Sequence, residues 1–219
     1  MTAIKICGIK SEEHALAVAE AGADFIGLVF ASSPRQVTAA QAEKIVSALK
    51  KSLTRVKAVG VFVNTPVPIV RKIADSCHLD WLQMSGDEPW EYCLELSRPV
   101  IKVIKVGHDN RPESISKNLE YGAQIMAGQK HMFLLDSSDG DKYGGTGLTF
   151  DWNLARPIAE KFPVIIAGGL NPENVGRAIK LIKPWGVDVS SGVETKGVKD
   201  MKKITKFIKA VRQADASQA

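Results

Sequence analysis

The sequence predicts an α/β fold: one domain built as a closed (βα)8 TIM barrel over residues 1–212. Three observations carry this. Eight short apolar runs rich in Val, Ile and Phe recur along the 219 residues, and each is followed by a stretch with the 3.6-residue period of an amphipathic helix. Eight strands in strict alternation with helices are what a closed parallel barrel requires. Glycine and serine segments, Gly168-Gly169 and Ser190-Ser191-Gly192, follow the last two runs, where such barrels commonly bind phosphate. A doubly wound open sheet is the alternative architecture.

The predicted strands are residues 3–7, 25–30, 57–62, 81–83, 99–104, 131–135, 164–167 and 186–189. Helices are expected to begin near Glu12, Ala39, Val67, Glu88, Ser114, Asn153, Pro172 and Lys199. Ser11, Thr38 and Asn171 stand where N-caps are wanted, the first followed by acids and the last by Pro172. The fifth helix has the weakest pattern because Gly122 and Gly128 interrupt its neighbourhood. An internal echo supports the barrel: Val63-Asn64-Thr65-Pro66 with Gln83-Met84-Ser85-Gly86 parallels Leu170-Asn171-Pro172 with Val189-Ser190-Ser191-Gly192. Residues 213–219 read as a frayed tail.

Composition narrows the function. Apolar residues make up 45% and charged residues 24%, ordinary for a folded chain. No basic-then-apolar leader opens the sequence and no apolar run is long enough to span a bilayer, so a cytoplasmic protein without membrane association is expected. The net charge of +5 is carried largely by lysines on helix faces, such as Lys202, Lys203, Lys206 and Lys209. Basic residues are not interleaved with aromatics, which argues against nucleic acid. Cys7, Cys77 and Cys93 are odd in number and lack ligand spacing, so neither a disulfide framework nor a metal site is expected.

The active site of a parallel barrel lies at the carboxyl ends of its strands. Alternation in the first strand sends Ile4 and Ile6 outward to the helices and Lys5 and Cys7 inward. In the eighth strand Asp188 faces inward, where it can pair with Lys5 beneath Cys7. An ammonium lowers a thiol's pKa, and a thiolate is a competent base; a small buried apolar cysteine is the plainer alternative. Asp136 follows Met132-Phe133-Leu134-Leu135, and desolvation there raises a carboxyl toward the range of a general acid. The alternative is turn chemistry before Ser137-Ser138. Backbone amides at Gly168, Gly169, Ser191 and Gly192 can approach a phosphate closely. Gly144-Gly145-Thr146-Gly147 lacks the helix and Lys-Ser/Thr of a nucleotide loop and suits coverage of a ligand better.

Lys5-Ile6-Cys7-Gly8, Gly22-Ala23-Asp24, Val59-Gly60-Val61-Phe62-Val63-Asn64, Leu134-Leu135-Asp136, Gly144-Gly145-Thr146-Gly147 with Phe150-Asp151-Trp152, Gly168-Gly169-Leu170-Asn171-Pro172-Glu173-Asn174-Val175 and Val187-Asp188-Val189-Ser190-Ser191-Gly192-Val193-Glu194 occur in this order. Together they resemble phosphoribosylanthranilate isomerase, a barrel enzyme of tryptophan biosynthesis. The resemblance implies an Amadori rearrangement of N-(5-phosphoribosyl)anthranilate to its 1-deoxyribulose isomer, with no cofactor, in a monomer or homodimer. It makes Cys7 the general base and Asp136 the general acid, places Arg35 near the anthranilate carboxylate and Asp188 near the sugar or amine, and leaves Lys5 in support. One departure stands out: where the family usually reads Gln-Leu-His-Gly, this chain reads Gln83-Met84-Ser85-Gly86, so Ser85 is the expected polar contact there. None of His14, His78, His108 and His131 is placed to replace the missing histidine. Competing readings are a phosphosugar lyase or epimerase, for which Lys105 is the one strand-end lysine; a non-catalytic phosphosugar-binding barrel; and the dual-substrate isomerase shared with histidine biosynthesis. Two aspartates are usual in the last, and Cys7 at the first of those positions argues against it.

Overall fold

The computed structural model describes residues 1–107, 111–137 and 151–217. Gly144 to Gly147, Asp139, Asp141, His108 and Phe150 lie outside the described residues. The elements run β1 (Ala3–Cys7), α1 (Glu12–Glu20), β2 (Phe25–Val29), α2 (Ala39–Lys51), β3 (Lys57–Phe62), α3 (Val67–Ser76), β4 (Trp81–Met84), α4 (Trp90–Leu94), β5 (Val100–Val106), α5 (Pro112–Ile125), β6 (His131–Ser137), α6 (Trp152–Ala159), β7 (Val164–Ile166), α7 (Val175–Ile182), β8 (Gly186–Val189), a 3-10 turn (Ser191–Val193), β9 (Glu194–Thr195), β10 (Val198–Lys199) and α8 (Met201–Ala216).

Strands β1 to β8 pair in parallel in chain order, and β8 returns to pair with β1, so the sheet closes into a barrel. The open sheet is thereby excluded. Alternation sorts the apolar side chains into two cores. Ile4, Ile6, Ile26, Leu28, Phe62, Leu82, Leu135, Ile166 and Val187 face outward against the helices. Phe25, Val59, Trp81, Ile101, Val103, Met132, Leu134, Ile165 and Ala167 fill the barrel interior. Each Val, Leu, Ile, Met or Phe side chain among them removed from water contributes about 1.5–3 kcal/mol, and a one-residue slip of any strand would exchange the two sets.

Helix starts follow the capping residues. Ser11 Oγ accepts from His14 N at 3.2 Å, and Thr38 with Gln41 forms a capping box that satisfies two end donors reciprocally. Asn171 does not cap α7 directly. Its Oδ1 accepts from Glu173 N and Asn174 N, holding a turn that delays the helix to Val175. Helix α5 runs through Gly122 unbroken, and the ring of Trp90 occupies the space a Cβ there would need.

The chain end corrects the expectation of a frayed tail for residues 213–217, while 218–219 lie outside the described residues. Helix α8 continues to Ala216 with Ile204, Phe207, Ile208, Val211 and Ala214 buried along one face. Asp215 accepts from Thr2 N at 2.9 Å and Thr2 Oγ1 at 2.6 Å, while Arg212 Nη1 donates to Thr2 O at 2.7 Å. The last turns of the helix thus anchor the start of β1. Strands β5 and β6 also run two residues past their expected ends, carrying Lys105 and Asp136 within the barrel wall.

Candidate active site

A cavity of about 440 Å³ opens at the carboxyl ends of the strands, a volume suited to one small ligand. Cys7, Arg35, Ser85, Asp136, Gly168, Gly169, Asp188, Ser191 and Gly192 all contribute to its lining. Lys5 lies one layer below, 1% exposed.

At the centre, Lys5 and Asp188 are register partners on β1 and β8 and form an ion pair, Nζ to Oδ2, at 2.9 Å. A charge so deeply buried persists only when paired. Burial pulls the Lys5 ammonium down, but the Asp188 carboxylate and the Cys7 thiol beside it outweigh burial and its pKa ends above the usual value. Asp188 Oδ1 is buried without a hydrogen-bond partner among the described residues. The Cys7 thiol does not follow the expectation of a lowered pKa: burial raises it, Lys5 and Lys199 pull it down, Asp188 adds to the rise, and the net direction is upward. Desolvation of a would-be anion outweighs two nearby cations.

Asp136 behaves as its position suggested. Burial and the neighbouring Asp188 push its carboxyl up to about 7 against the opposing pull of Lys5. A carboxyl with that value can give and take a proton near neutrality.

Around this centre the loops are built for close approach. Gly168 and Gly169 have φ of 86° and 60°, the left-handed region that glycine enters without a Cβ penalty. Asn174 Nδ2 donates to Gly169 O at 2.9 Å and pins this loop. A Cβ on Gly192 would overlap the Leu170 carbonyl, so the loops after β7 and β8 touch and form one cradle. Ser190 Oγ donates to Cys7 O at 3.2 Å, joining that cradle to the end of β1.

The family model for N-(5'-phosphoribosyl)anthranilate (PRA) isomerase matches residues 4–210. The chain belongs to this family. It is 45% identical to the N-(5'-phosphoribosyl)anthranilate isomerase of Dehalococcoides mccartyi over 218 residues, covering 100% of this chain and 99% of that relative. The crystal structure of phosphoribosyl anthranilate isomerase from Thermotoga maritima superposes with a TM-score of 0.83 at 36% identity, covering 97% of this chain and all of that one. A phosphoribosyl anthranilate isomerase in complex with reduced 1-(o-carboxyphenylamino)-1-deoxyribulose 5-phosphate superposes with a TM-score of 0.81 at 35% identity, with the same coverage.

Four more of the residues expected at this site, Ser85, Arg35, Asn64 and Lys105, are already engaged within the chain. Ser85, in the position of the missing histidine, accepts from Gln83 Nε2 at 3.0 Å. Arg35 reaches the cavity wall already paired: Nε and Nη2 donate to Glu194 Oε1 and Oε2, both at 2.8 Å, and this carboxylate raises the guanidinium pKa further. Asn64 turns away from chemistry, since its Oδ1 accepts from Asp87 N and its own N donates to Glu88. Lys105 pairs with Asp87 at 3.2 Å.

Four residues of this PRA isomerase fold were missed by sequence reasoning. Gln83 is buried and lines the cavity, with Oε1 lacking a hydrogen-bond partner among the described residues; the alternation that places Trp81 inward already pointed to it. Gly27 lies against the site, where a Cβ would stand 2.7 Å from Cys7 Sγ and 3.2 Å from Lys5 Nζ. A lone glycine in mid-strand was the available signal. Glu194 and Lys199, joined at 2.7 Å, had no local signal. Among the described residues, no helix is long and apolar enough to cross a membrane.

Proposed function

We propose that this chain converts N-(5-phosphoribosyl)anthranilate into 1-(2-carboxyphenylamino)-1-deoxyribulose 5-phosphate by an Amadori rearrangement, as a cytoplasmic step of tryptophan biosynthesis. The observation that carries the mechanism is the pairing, in one cavity, of a carboxyl with a pKa of about 7, Asp136, and a buried thiol, Cys7. Family membership supplies the substrate.

Asp136 acts as general acid. It delivers its proton to the ribose ring oxygen as the bond from that oxygen to C1 breaks, leaving an open chain with a C1–nitrogen Schiff base. Cys7, as thiolate, takes the proton from C2, and the electron pair moves to give an enolamine. Tautomerisation to the C2 ketone completes the isomerisation. Lys5 offsets the charge on Cys7 as it forms. Among the described residues Asp188 Oδ1 and Gln83 Oε1 are buried acceptors without partners, and donors on the sugar or the amine satisfy them. Ser85 contributes a hydroxyl nearby, Arg35 faces the anthranilate carboxylate, and the cradle of Gly168, Gly169, Ser191 and Gly192 takes the phosphate.

The test is turnover of freshly prepared N-(5-phosphoribosyl)anthranilate, followed by anthranilate fluorescence, in wild type, Cys7→Ala and Asp136→Asn. Turnover that falls at least about 100-fold in each variant is expected for loss of a general acid or base. Binding without turnover in wild type would overturn the reading in favour of a non-catalytic barrel.

A further inference from the structure

We propose that Glu194 is a positioning residue: it holds the Arg35 guanidinium so that its remaining N–H edge meets the substrate's carboxylate. The inference rests on the proposed isomerase reading and on Glu194 and Lys199, which that reading does not use.

Arg35 sits in the loop after β2, its stem against Gly8, where a Cβ would lie 2.6 Å from Arg35 Cδ. Its Nε–Nη2 edge is bound in parallel by both oxygens of Glu194 at 2.8 Å. A guanidinium has five donors, so this fork consumes one edge and fixes the plane of the group. The Nη1–Nη2 edge retains donors for a second carboxylate, and the side chain lines the cavity. Two bonds in one plane remove the rotation that would otherwise let a long side chain leave the wall.

Glu194 would compete with a substrate carboxylate if its charge were uncompensated. It is compensated by Lys199, whose Nζ donates to Glu194 Oε1 at 2.7 Å and to Ser190 O at 2.9 Å. Glu194 and Lys199 are register partners in the small β9–β10 hairpin, and their side chains are 6% and 3% exposed. Two cations on one carboxylate leave the wall net positive. Its Lys199–Ser190 bond also joins the Arg35 side of the cavity to the cradle proposed for phosphate.

The experiment is calorimetric binding of two ligands: reduced 1-(o-carboxyphenylamino)-1-deoxyribulose 5-phosphate, and its phenylamino counterpart lacking the carboxylate. Wild type should prefer the first, and Arg35→Ala should lose that preference. Glu194→Gln should lose about tenfold or more of it, while its affinity for the ligand without the carboxylate stays within about threefold of wild type; the same binding serves as the folding control. The double variant should lose no more than Arg35→Ala alone. If Glu194→Gln keeps or strengthens the preference while Arg35→Ala loses it, the positioning role is wrong and the isomerase reading stands. If wild type binds both ligands alike, the assignment of Arg35 fails and the positioning role fails with it.

Discussion

Lys5 and Asp188, 183 residues apart in the chain, meet at 2.9 Å across the seam where β1 and β8 close the barrel. This pair sits directly beneath the proposed base. It couples barrel closure to the charge balance of the site.

Removing one partner leaves the other charge buried. Lys5→Met should lower stability by about 3–5 kcal/mol, read as a lower urea midpoint with an unchanged slope. The double variant Lys5→Met, Asp188→Asn should be less destabilised than the sum of the two singles. Additive effects would show that the pair does not act as one unit.

The pH dependence of kcat/KM should be a bell. With the Asp136 carboxyl at about 7 and the Cys7 thiol raised above its usual value of 9.0, the active form, protonated Asp136 with ionised Cys7, is the minor singly protonated species. The lower limb should therefore fall near pH 7 and the upper limb above pH 9, both belonging to the pair rather than to one residue. Alkylation of Cys7 by iodoacetamide should accelerate with a midpoint above pH 9. A midpoint below neutrality would contradict a thiol dominated by burial.

The same shift has a signed consequence for stability. Asp136 is raised from 3.8 to about 7, so between these values the folded chain keeps a proton that the unfolded chain has released. Its contribution to stability therefore falls as pH rises from about 4 to about 7 and is level above that. A shift of roughly three units corresponds to an upper bound of about 4 kcal/mol. Asp136→Asn should be more stable than wild type at pH 8, with the difference vanishing near pH 4, when measured by denaturant unfolding.

A methyl group at position 27 tests the close packing beneath the base. The added carbon would stand 2.7 Å from Cys7 Sγ, so Gly27→Ala must displace the thiol or the strand. Overpacking of this kind costs about 1–3 kcal/mol, and displacement of a reacting group by about 1 Å can lower kcat 100-fold. Unchanged kcat would mean that the thiol moves freely without consequence and would weaken its assignment as base.

Another buried ion pair supports the opposite wall. Lys102 Nζ donates to Glu88 Oε2 at 3.0 Å and to Gly86 O at 3.1 Å, while Glu88 Oε1 accepts from Asn64 N at 2.7 Å. Glu88→Ala should lower stability by about 3–5 kcal/mol, because it leaves Lys102 buried and unpaired. Thermal unfolding of the variant alongside Lys102→Met checks this.

Local pattern explains why so much was legible. Alternation along β1 placed Lys5 and Cys7 on the inner face and Ile4 and Ile6 on the outer one: Ile4 and Ile6 pack in the outer core, Cys7 packs with Val29 and Val61, and Lys5 pairs with Asp188. The desolvated position of Asp136 after four apolar residues announced the direction of its pKa. Strand ends and the start of α7 were less legible, because pairing across β5–β6 and the Asn171 turn set them.

The sequence by itself determined the order of the eight strand–helix units, the face of the strand side chains and most of the residues brought to the cavity. These depend on periodicity and motif order, which are properties of the chain read locally. The Lys5–Asp188 pair was legible from strand alternation, but tertiary structure alone decided that Arg35 meets Glu194, 159 residues away, and that Asp215 meets Thr2, 213 residues away, so that the start of the expected tail became an anchored helix. It also decided that burial outweighs Lys5 and Lys199 at Cys7, since desolvation is fixed by everything packed around a group and only closure of the barrel supplies those neighbours.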